Sequence, residues 1–591
     1  MEKLLLNYCI DAVEVLYGKK PDLDKIQIQE TKKEFDGEFT LVVFPLLKVS
    51  SRSPAQTSEE IGQYLLDNYS DIISFNVVKG FLNLSLSPQS YLRQLQRISV
   101  IENYGFSEPC DESEKILIEY SSPNTNKPLH LGHIRNNLLG YSLSRILKAN
   151  GKEVYKTNIV NDRGIHICKS MLAWKLYGDG ETPESTGLKG DHLVGKYYVR
   201  FDREYKKQQE ELVKSGMSAD EAANKADLIV AAREMLRLWE SDDRETVDLW
   251  SRMNSWVYKG FERTYADLGV DFDKIYYESD TFRLGKKIIS DALKSNKLLV
   301  KDDGSVWADL KEAGLDEKLL LRSDGTAVYM TQDLGTAVER YNDYKFDRQL
   351  YVVGNEQNYH FQVLTIILKK LGYSWADGIY HYSYGMVELP EGRMKSREGT
   401  IVDADDLIAE MIKTAGDTST DLGKLDDFTE EEKYEIYRKV GLGALKYFIL
   451  KVDPKKNMMF NPAESIDFNG NTGPFIQYTF ARINSVLRKS GTIPDGETEV
   501  DFLNNKEKDI VIALSRFPAI VREAGENLSP ALLANYCYEL SRDFNQFYHE
   551  YSILNEADKK QRDLRILITA LTGKILEKGM WLLGIEMPER M

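Results

Sequence analysis

Residues 115–160 constrain the fold of this chain more than any other stretch of similar length. KILIEY (115–120) is a short apolar run of the kind that forms a strand buried on both faces. The loop SSPNTNKP follows it. Next comes HLGHIRNNLLGYSLSRILKANG, in which Ile134, Leu138, Leu139, Leu143, Ile146 and Leu147 keep helical spacing. Pro128 stands near the predicted helix start and Gly151 at its end, as helix termini favour. EVYKTNIV reads as a second strand. Strand, loop, helix and strand make a βαβ unit, the building block of a parallel nucleotide-binding sheet.

The chemistry concentrates at the mouth of that helix. The chain has seven histidines, and two of them, His130 and His133, fall three residues apart there. That spacing puts both rings on one helix face. The N–H groups and dipole of a helix N-terminus favour phosphate. Gly132, between the histidines, lets a ligand approach the backbone closely. Two histidines that merely cap a surface helix are the bland alternative, and the buried strand and Pro-Asn loop before them argue against it.

At 591 residues the chain exceeds one hydrophobic core, so several domains are expected. The first 110 residues or so mix helical periodicity with β-rich runs such as FTLVVFP and GFLNLSLS. Residues 181–261 turn helical and highly charged and read as an insertion in the sheet domain. KLLVKDDG, GTAVYM and RQLYVVG then read as strands, and NYHFQVLTIILKKLG as a helix. After the polar stretch TAGDTSTDLGKLDDFTEEE the pattern is mostly helical. No window has the length and apolarity of a membrane span. MEKLLLNYCIDAVEVL reads as an amphipathic helix and not as a signal peptide, so a cytoplasmic location is expected. Cys9, Cys110, Cys168 and Cys537 are isolated, which suggests neither disulfides nor zinc. The net charge of −16 argues, taken alone, against nucleic-acid binding. From residue 473 onward, however, 15 Lys and Arg stand against 17 Asp and Glu, so the acidic excess lies upstream. Charge alone decides nothing here.

His130-Leu131-Gly132-His133 resembles the HIGH signature of class I aminoacyl-tRNA synthetases, and EYSSPNTNKPLHLGHIRNN (119–137) is similar to the arginyl branch. The resemblance continues through NDRGIH (161–166), LGVDFD, SDGTAVYMTQDLG, YVVGNEQNYHF, NTGPFIQYTFARI and the terminal LGIEMPERM. It implies an arginine–tRNA ligase that uses ATP with Mg²⁺, L-arginine and tRNA(Arg), acts as a monomer and has no membrane partner. It also implies a multidomain α/β chain. An N-terminal α+β tRNA-contact domain (1–111) would precede a Rossmann-type catalytic domain (112–420) that carries the insertion. A helical linker (421–472) and an α-helical anticodon-binding domain (473–591) would follow.

The resemblance also implies roles. Arginine's planar guanidinium suits a carboxylate that accepts two parallel hydrogen bonds. Tyr329 and Asp333 match residues at the guanidinium end of the family's pocket, with Glu278 a further candidate. Glu119, Asn124 and Gln357 match residues that hold the remaining polar atoms. His130, Gly132 and His133 would bind ATP, the histidines acting through charge and position. The second signature, KMSKS, corresponds to GRMKSREGT (392–400). There Met394, Lys395, Ser396 and Arg397 would meet ATP, with Arg393 adding charge. Ser396 takes the place of the usual second lysine, and Lys127, just upstream of the HIGH signature, matches the lysine thought to compensate. Tyr478, Tyr548 and Met591 match anticodon-loop contacts, and Phe81 and Asn83 match tRNA-elbow contacts. Asn83 stands where Gln is more usual, and Val78 where Asn is. Three rival readings remain open: a synthetase for another amino acid, a nucleotidyltransferase with the same signature, and an inactive tRNA-binding paralogue.

Overall fold

The computed structural model describes residues 1–22, 26–32, 34–388, 402–421, 428–494 and 500–591. Its centre is a five-stranded, wholly parallel sheet. β1 (Lys115–Glu119) leads through the SSPNTNKP loop into α1 (Leu131–Ala149) and β2 (Glu153–Val160). α2 (Ile165–Tyr177), α3 (Gly190–Lys214) and α4 (Arg244–Leu268) then depart from the sheet before β3 (Lys274–Tyr277) returns to it. α5 (Glu278–Lys294) and α6 (Tyr329–Tyr344) precede β4 (Arg348–Gly354), α7 (Asn358–Leu371) and β5 (Ile379–Tyr384). The strand order is β5-β4-β1-β2-β3, with every pair parallel. The order reverses at β1 and β4, so the crevice beyond their C-terminal ends is where such a sheet binds ligands.

Buried apolar strands explain most of this. Ile116, Leu117, Ile118, Leu350 and Val352 are fully buried, as expected of strands covered on both faces. Two sequence expectations are corrected. GTAVYM is not a strand, because α6 begins at Tyr329 and only Ala327 makes a β-bridge. KLLVKDDG contributes only Leu299–Val300, which joins Val306–Ala308 and Lys318–Leu321 in a separate antiparallel sheet. That small sheet, α5, α6 and α7 enclose their own apolar cluster around Leu320, Leu334 and Leu364. Both runs have β-like composition, but neither forms a strand of the parallel sheet.

The N-terminal region folds as a four-stranded antiparallel sheet backed by Glu2–Tyr17 and Pro54–Asn68, while Pro88–Val100 packs against the terminal helices. Beyond the parallel sheet, α8 (Ala404–Asp421) precedes Glu430–Leu450 and a terminal bundle. The bundle includes α9 (Gly473–Ser490), α10 (Pro530–Glu550) and α11 (Lys559–Leu582). One continuous core runs from the N-terminal region through α1 into this bundle. No described helix is long and apolar enough to cross a membrane.

Candidate active site and tRNA-contact surfaces

β1 ends in a strained turn. Ser121 and Ser122 have φ of 80° and 48°, a conformation that non-glycine residues adopt only when their surroundings hold them. Asn136 on α1 supplies that hold. Its side-chain oxygen accepts from the Ser121 N–H at 2.5 Å, and its amide donates to the Val352 carbonyl at 2.6 Å and to the Tyr384 hydroxyl oxygen at 3.1 Å. One buried amide thus ties β1, β4 and β5 to the helix at the switch point. The sequence reading missed it. Asn136 stands within the HLGHIRNN match, but nothing in its residue type announced a tie.

His130 is the N-cap of α1, and the two histidines form a reciprocal box. His130 Nδ1 accepts the Gly132 N–H, and His133 Nδ1 accepts the His130 N–H, each at 3.1 Å. An Nδ1 that accepts a hydrogen bond carries no proton, so the proton of each neutral ring sits on Nε2. Burial, together with the charge of Lys127, pushes His130 down to about 4. Burial first, then His130 and Lys127, holds His133 well below the ordinary histidine range. With both values lowered, the two rings are neutral N–H donors in the unliganded protein at neutral pH. Burial also lowers the Lys127 ammonium. Lys127 and Pro128 are backed by α3, where a Cβ on Gly195 would lie 2.9 Å from the proline ring.

A second group of side chains gathers where β3 ends and α6 begins. Glu278 is the first residue of α5 and is 6% exposed. Burial raises its carboxyl to about 7; Arg163, 3.9 Å away, opposes that rise, while Asp162 and Asp333 add to it. Asp333, on α6, accepts from His360 Nε2 at 2.5 Å. Glu278 and Asp333 are thus acidic neighbours, with Arg163 beside the first and His360 beside the second. Such a place suits an incoming cation. The NDRGIH segment builds its wall. Asp162, fully buried, accepts the Ser279 N–H and hydroxyl at 2.8 and 2.7 Å and the Tyr258 hydroxyl at 2.7 Å. Arg163 stacks on Phe282, 4.2 Å from the ring centre.

The other expected amino-acid ligands are less uniform. Glu119 is buried and paired with the equally buried Arg340, and it also accepts the Ser122 hydroxyl at 2.9 Å. A ligand atom reaches Glu119 only alongside those partners. Arg340 had gone unnoticed in the sequence, as had His360. Tyr329 opens α6, four residues before Asp333, and is 72% exposed. Asn124 and Gln357 are exposed at the strand ends, and Asn124 is bridged in parallel to Asn161. Met394, Lys395, Ser396 and Arg397, with Arg393, lie outside the described residues.

In the terminal bundle, Tyr478 of α9, Tyr548 of α10 and Met591 line one groove of about 560 Å³. Arg482 lies 4.9 Å from one tyrosine ring centre and 5.0 Å from the other, and Arg488, Lys489 and Arg590 complete a basic rim. Residues more than a hundred positions apart thus meet on one surface. In the N-terminal sheet Phe81 is 36% exposed and packs edge-on against exposed Phe44. Asn83 is corrected: it is 2% exposed, accepts the Thr40 hydroxyl at 2.6 Å and lies beneath Gly37. It is two residues from Phe81 on the same strand, but the loop ahead of Phe39–Val42 covers its position.

Two family models match this chain. "tRNA synthetases class I (R), catalytic domain" covers residues 95–461, and "DALR anticodon binding domain" covers 476–591. The chain is 57% identical over 595 residues to the arginine–tRNA ligase of Bacteroides thetaiotaomicron, with both chains fully covered. The chain belongs to the class I arginyl-tRNA synthetase family. The arginine–tRNA ligase of Porphyromonas gingivalis is 56% identical over 99% of both chains. Among solved structures, Thermus thermophilus arginyl-tRNA synthetase matches with a TM-score of 0.76 at 25% identity over all of both chains. The Plasmodium falciparum synthetase matches with a TM-score of 0.75 at 18% identity, covering 100% of this chain and 99% of its own, which shows the fold.

Proposed function

We propose that the chain joins L-arginine to tRNA(Arg) as a cytoplasmic monomer, with ATP entering as its Mg²⁺ complex. The arginine carboxylate attacks the α-phosphate of ATP and pyrophosphate leaves, giving arginyl-adenylate. The 2′-hydroxyl of the tRNA terminal ribose then attacks the activated carbonyl carbon, and AMP leaves. The observation that carries the choice of amino acid is the Glu278–Asp333 pair, with Glu278 raised to about 7. A guanidinium between them would donate to both carboxylates and favour their ionised forms. Tyr329 would stand with Asp333 at the guanidinium end, and Glu119, Asn124 and Gln357 would hold the remaining polar atoms of the amino acid.

His130 and His133 would donate Nε2–H to phosphate oxygens, with Gly132 allowing close approach and Lys127 meeting the charge that shifts towards pyrophosphate. Met394, Lys395, Ser396 and Arg397 belong to the same ATP-binding role by resemblance. Tyr478 and Tyr548 would take anticodon-loop bases by stacking, with Met591 a further contact, and Phe81 would take an elbow base.

The test is charging of total tRNA with each of the twenty amino acids in turn. Arginine alone should be attached, and citrulline, neutral but of similar shape, should be refused. Attachment of another amino acid, or none at all, overturns the reading.

A further inference from the structure

The insertion carries a charged cluster that none of these roles uses. Lys189, the N-cap of α3, donates its ammonium to Thr264 Oγ1 at 2.6 Å, pairs with Asp405, and lies 3.2 Å from Asp191. The Thr264 hydroxyl donates to the other Asp405 oxygen at 2.9 Å. His192 Nε2 is 3.0 Å from Asp405 and 3.6 Å from Asp403. Asp191 is fully buried. The surrounding backbone is in tight contact: a Cβ on Gly190 would fall 2.0 Å from the Trp256 carbonyl oxygen, and one on Gly260 2.3 Å from Asp191. Asp191, His192 and Asp405 have the spacing of metal ligands. The Lys189 ammonium, however, already stands between two of them as the cation.

What this cluster grips is the start of α8, and that start grips His130. The Leu131 N–H donates to the Val402 carbonyl and the Ala404 N–H to the Leu129 carbonyl, each at 3.0 Å, which sets His130 opposite Asp403 in an antiparallel bridge. Asp403 in turn caps α8 by accepting the Asp405 N–H at 2.8 Å. The capping box orients the His130 ring with respect to its own helix. The bridge holds its backbone from the opposite side, and the bridge is as firm as the residues that anchor 403–405.

We propose that Lys189, His192 and Asp405 are positioning residues for adenylate formation, by which the helical insertion holds residues 402–404 against the mouth of α1 and so places His130. The proposal rests on the reading that His130 meets ATP. Small misplacements of a donor aimed at a transition state cost rate more than ground-state binding.

The experiment follows arginine activation in single-turnover kinetics on the full chain with tRNA present, and measures arginine KM and tRNA Kd alongside. Lys189→Met should slow activation by about tenfold or more, with arginine KM and tRNA Kd within about twofold of the parent. Lys189→Arg should recover most of the rate. In a His130→Ala background the same Lys189→Met change should cost under about twofold, because coupled residues are not additive. Melting curves check folding. If Lys189→Met does not fold, Asp405→Asn takes its place in the same cycle. Independent, multiplying losses, or a wild-type rate in the single variant, overturn the proposal. His130→Ala at the parent rate removes the site reading itself, a distinguishable failure.

Discussion

Glu278 shows how one carboxyl ties pH to substrate choice. Its folded value of about 7 lies above the ordinary 4.5. Between those values the unfolded chain ionises at this position while the folded chain stays protonated. The unliganded protein therefore loses stability as pH rises through that window, by about 3 kcal/mol in all at roughly 1.4 kcal/mol per unit. Arginine reverses the preference, because its guanidinium pairs with the ionised form. Arginine KM should thus fall as pH rises towards 7 and level off above it, with a slope approaching about tenfold per unit below. Glu278→Gln should bind arginine weakly and lack this slope. A flat arginine KM between pH 6 and 8 in the parent would remove Glu278 from the pocket. The residue's type was legible in YYESD, but its elevated pKa was not. That depends on burial beside Asp162 and Asp333, which come from two other segments of the chain.

At the scale of elements, the distance between the two acidic residues is set by a helix crossing. α5 begins with Glu278, and α6 carries Asp333. The two meet backbone to backbone at Gly285 and Gly335. A Cβ on Gly285 would lie 1.9 Å from the Thr331 carbonyl oxygen, and one on Gly335 2.6 Å from the Gly285 nitrogen. Neither clash can be relieved by rotating a side chain. Gly335→Ala must push the helices apart, at a stability cost of about 1–3 kcal/mol. It should raise arginine KM by about tenfold, measured beside an ATP KM that stays near the parent value. Equal changes in both constants would mean that the crossing does not set the amino-acid end. Both glycines stand in sequences with ordinary helical periodicity, where an isolated glycine suggests a weak point. Only the partner helix explains them.

Across the whole molecule, α1 connects the histidine box to the anticodon-binding bundle. Its N-terminus bears His130 and His133, and its later turns reach the C-terminal end of α11. The Ser142 hydroxyl donates to the Leu582 carbonyl at 3.0 Å and Arg145 to the Trp581 carbonyl at 2.6 Å. The Arg145 guanidinium also donates to the Tyr141 hydroxyl at 2.6 Å and lies 4.5 and 4.4 Å from the Tyr141 and Trp581 ring centres. Buried Lys446 donates to the Gly584 carbonyl at 2.6 Å and is lowered by burial to about 8. Side chains from the catalytic half thus satisfy the carbonyls that end α11. Arg145→Ala removes one such bond and the contacts with both rings and should cost about 1–3 kcal/mol, read as a lower melting temperature. A variant that melts with the parent would show that the apolar contacts alone join the two regions.

The sequence by itself determined the βαβ unit, the helix that opens with His130 and His133, and the family. These depend on local periodicity, helix-end residues and short motifs, all of which act over a few neighbouring residues. It also marked Tyr478, Tyr548 and Met591 one by one, without showing that they share a groove. Tertiary structure alone decided that Asn83 is covered, that Glu119 is shared with Arg340, that GTAVYM opens a helix and that the histidines are neutral. Each of these follows from what distant segments bring alongside: a loop over a strand face, a buried guanidinium under a carboxylate, a small antiparallel sheet beside the parallel one, and a desolvated helix mouth. Burial and pairing between distant segments have no signature in the residues that undergo them.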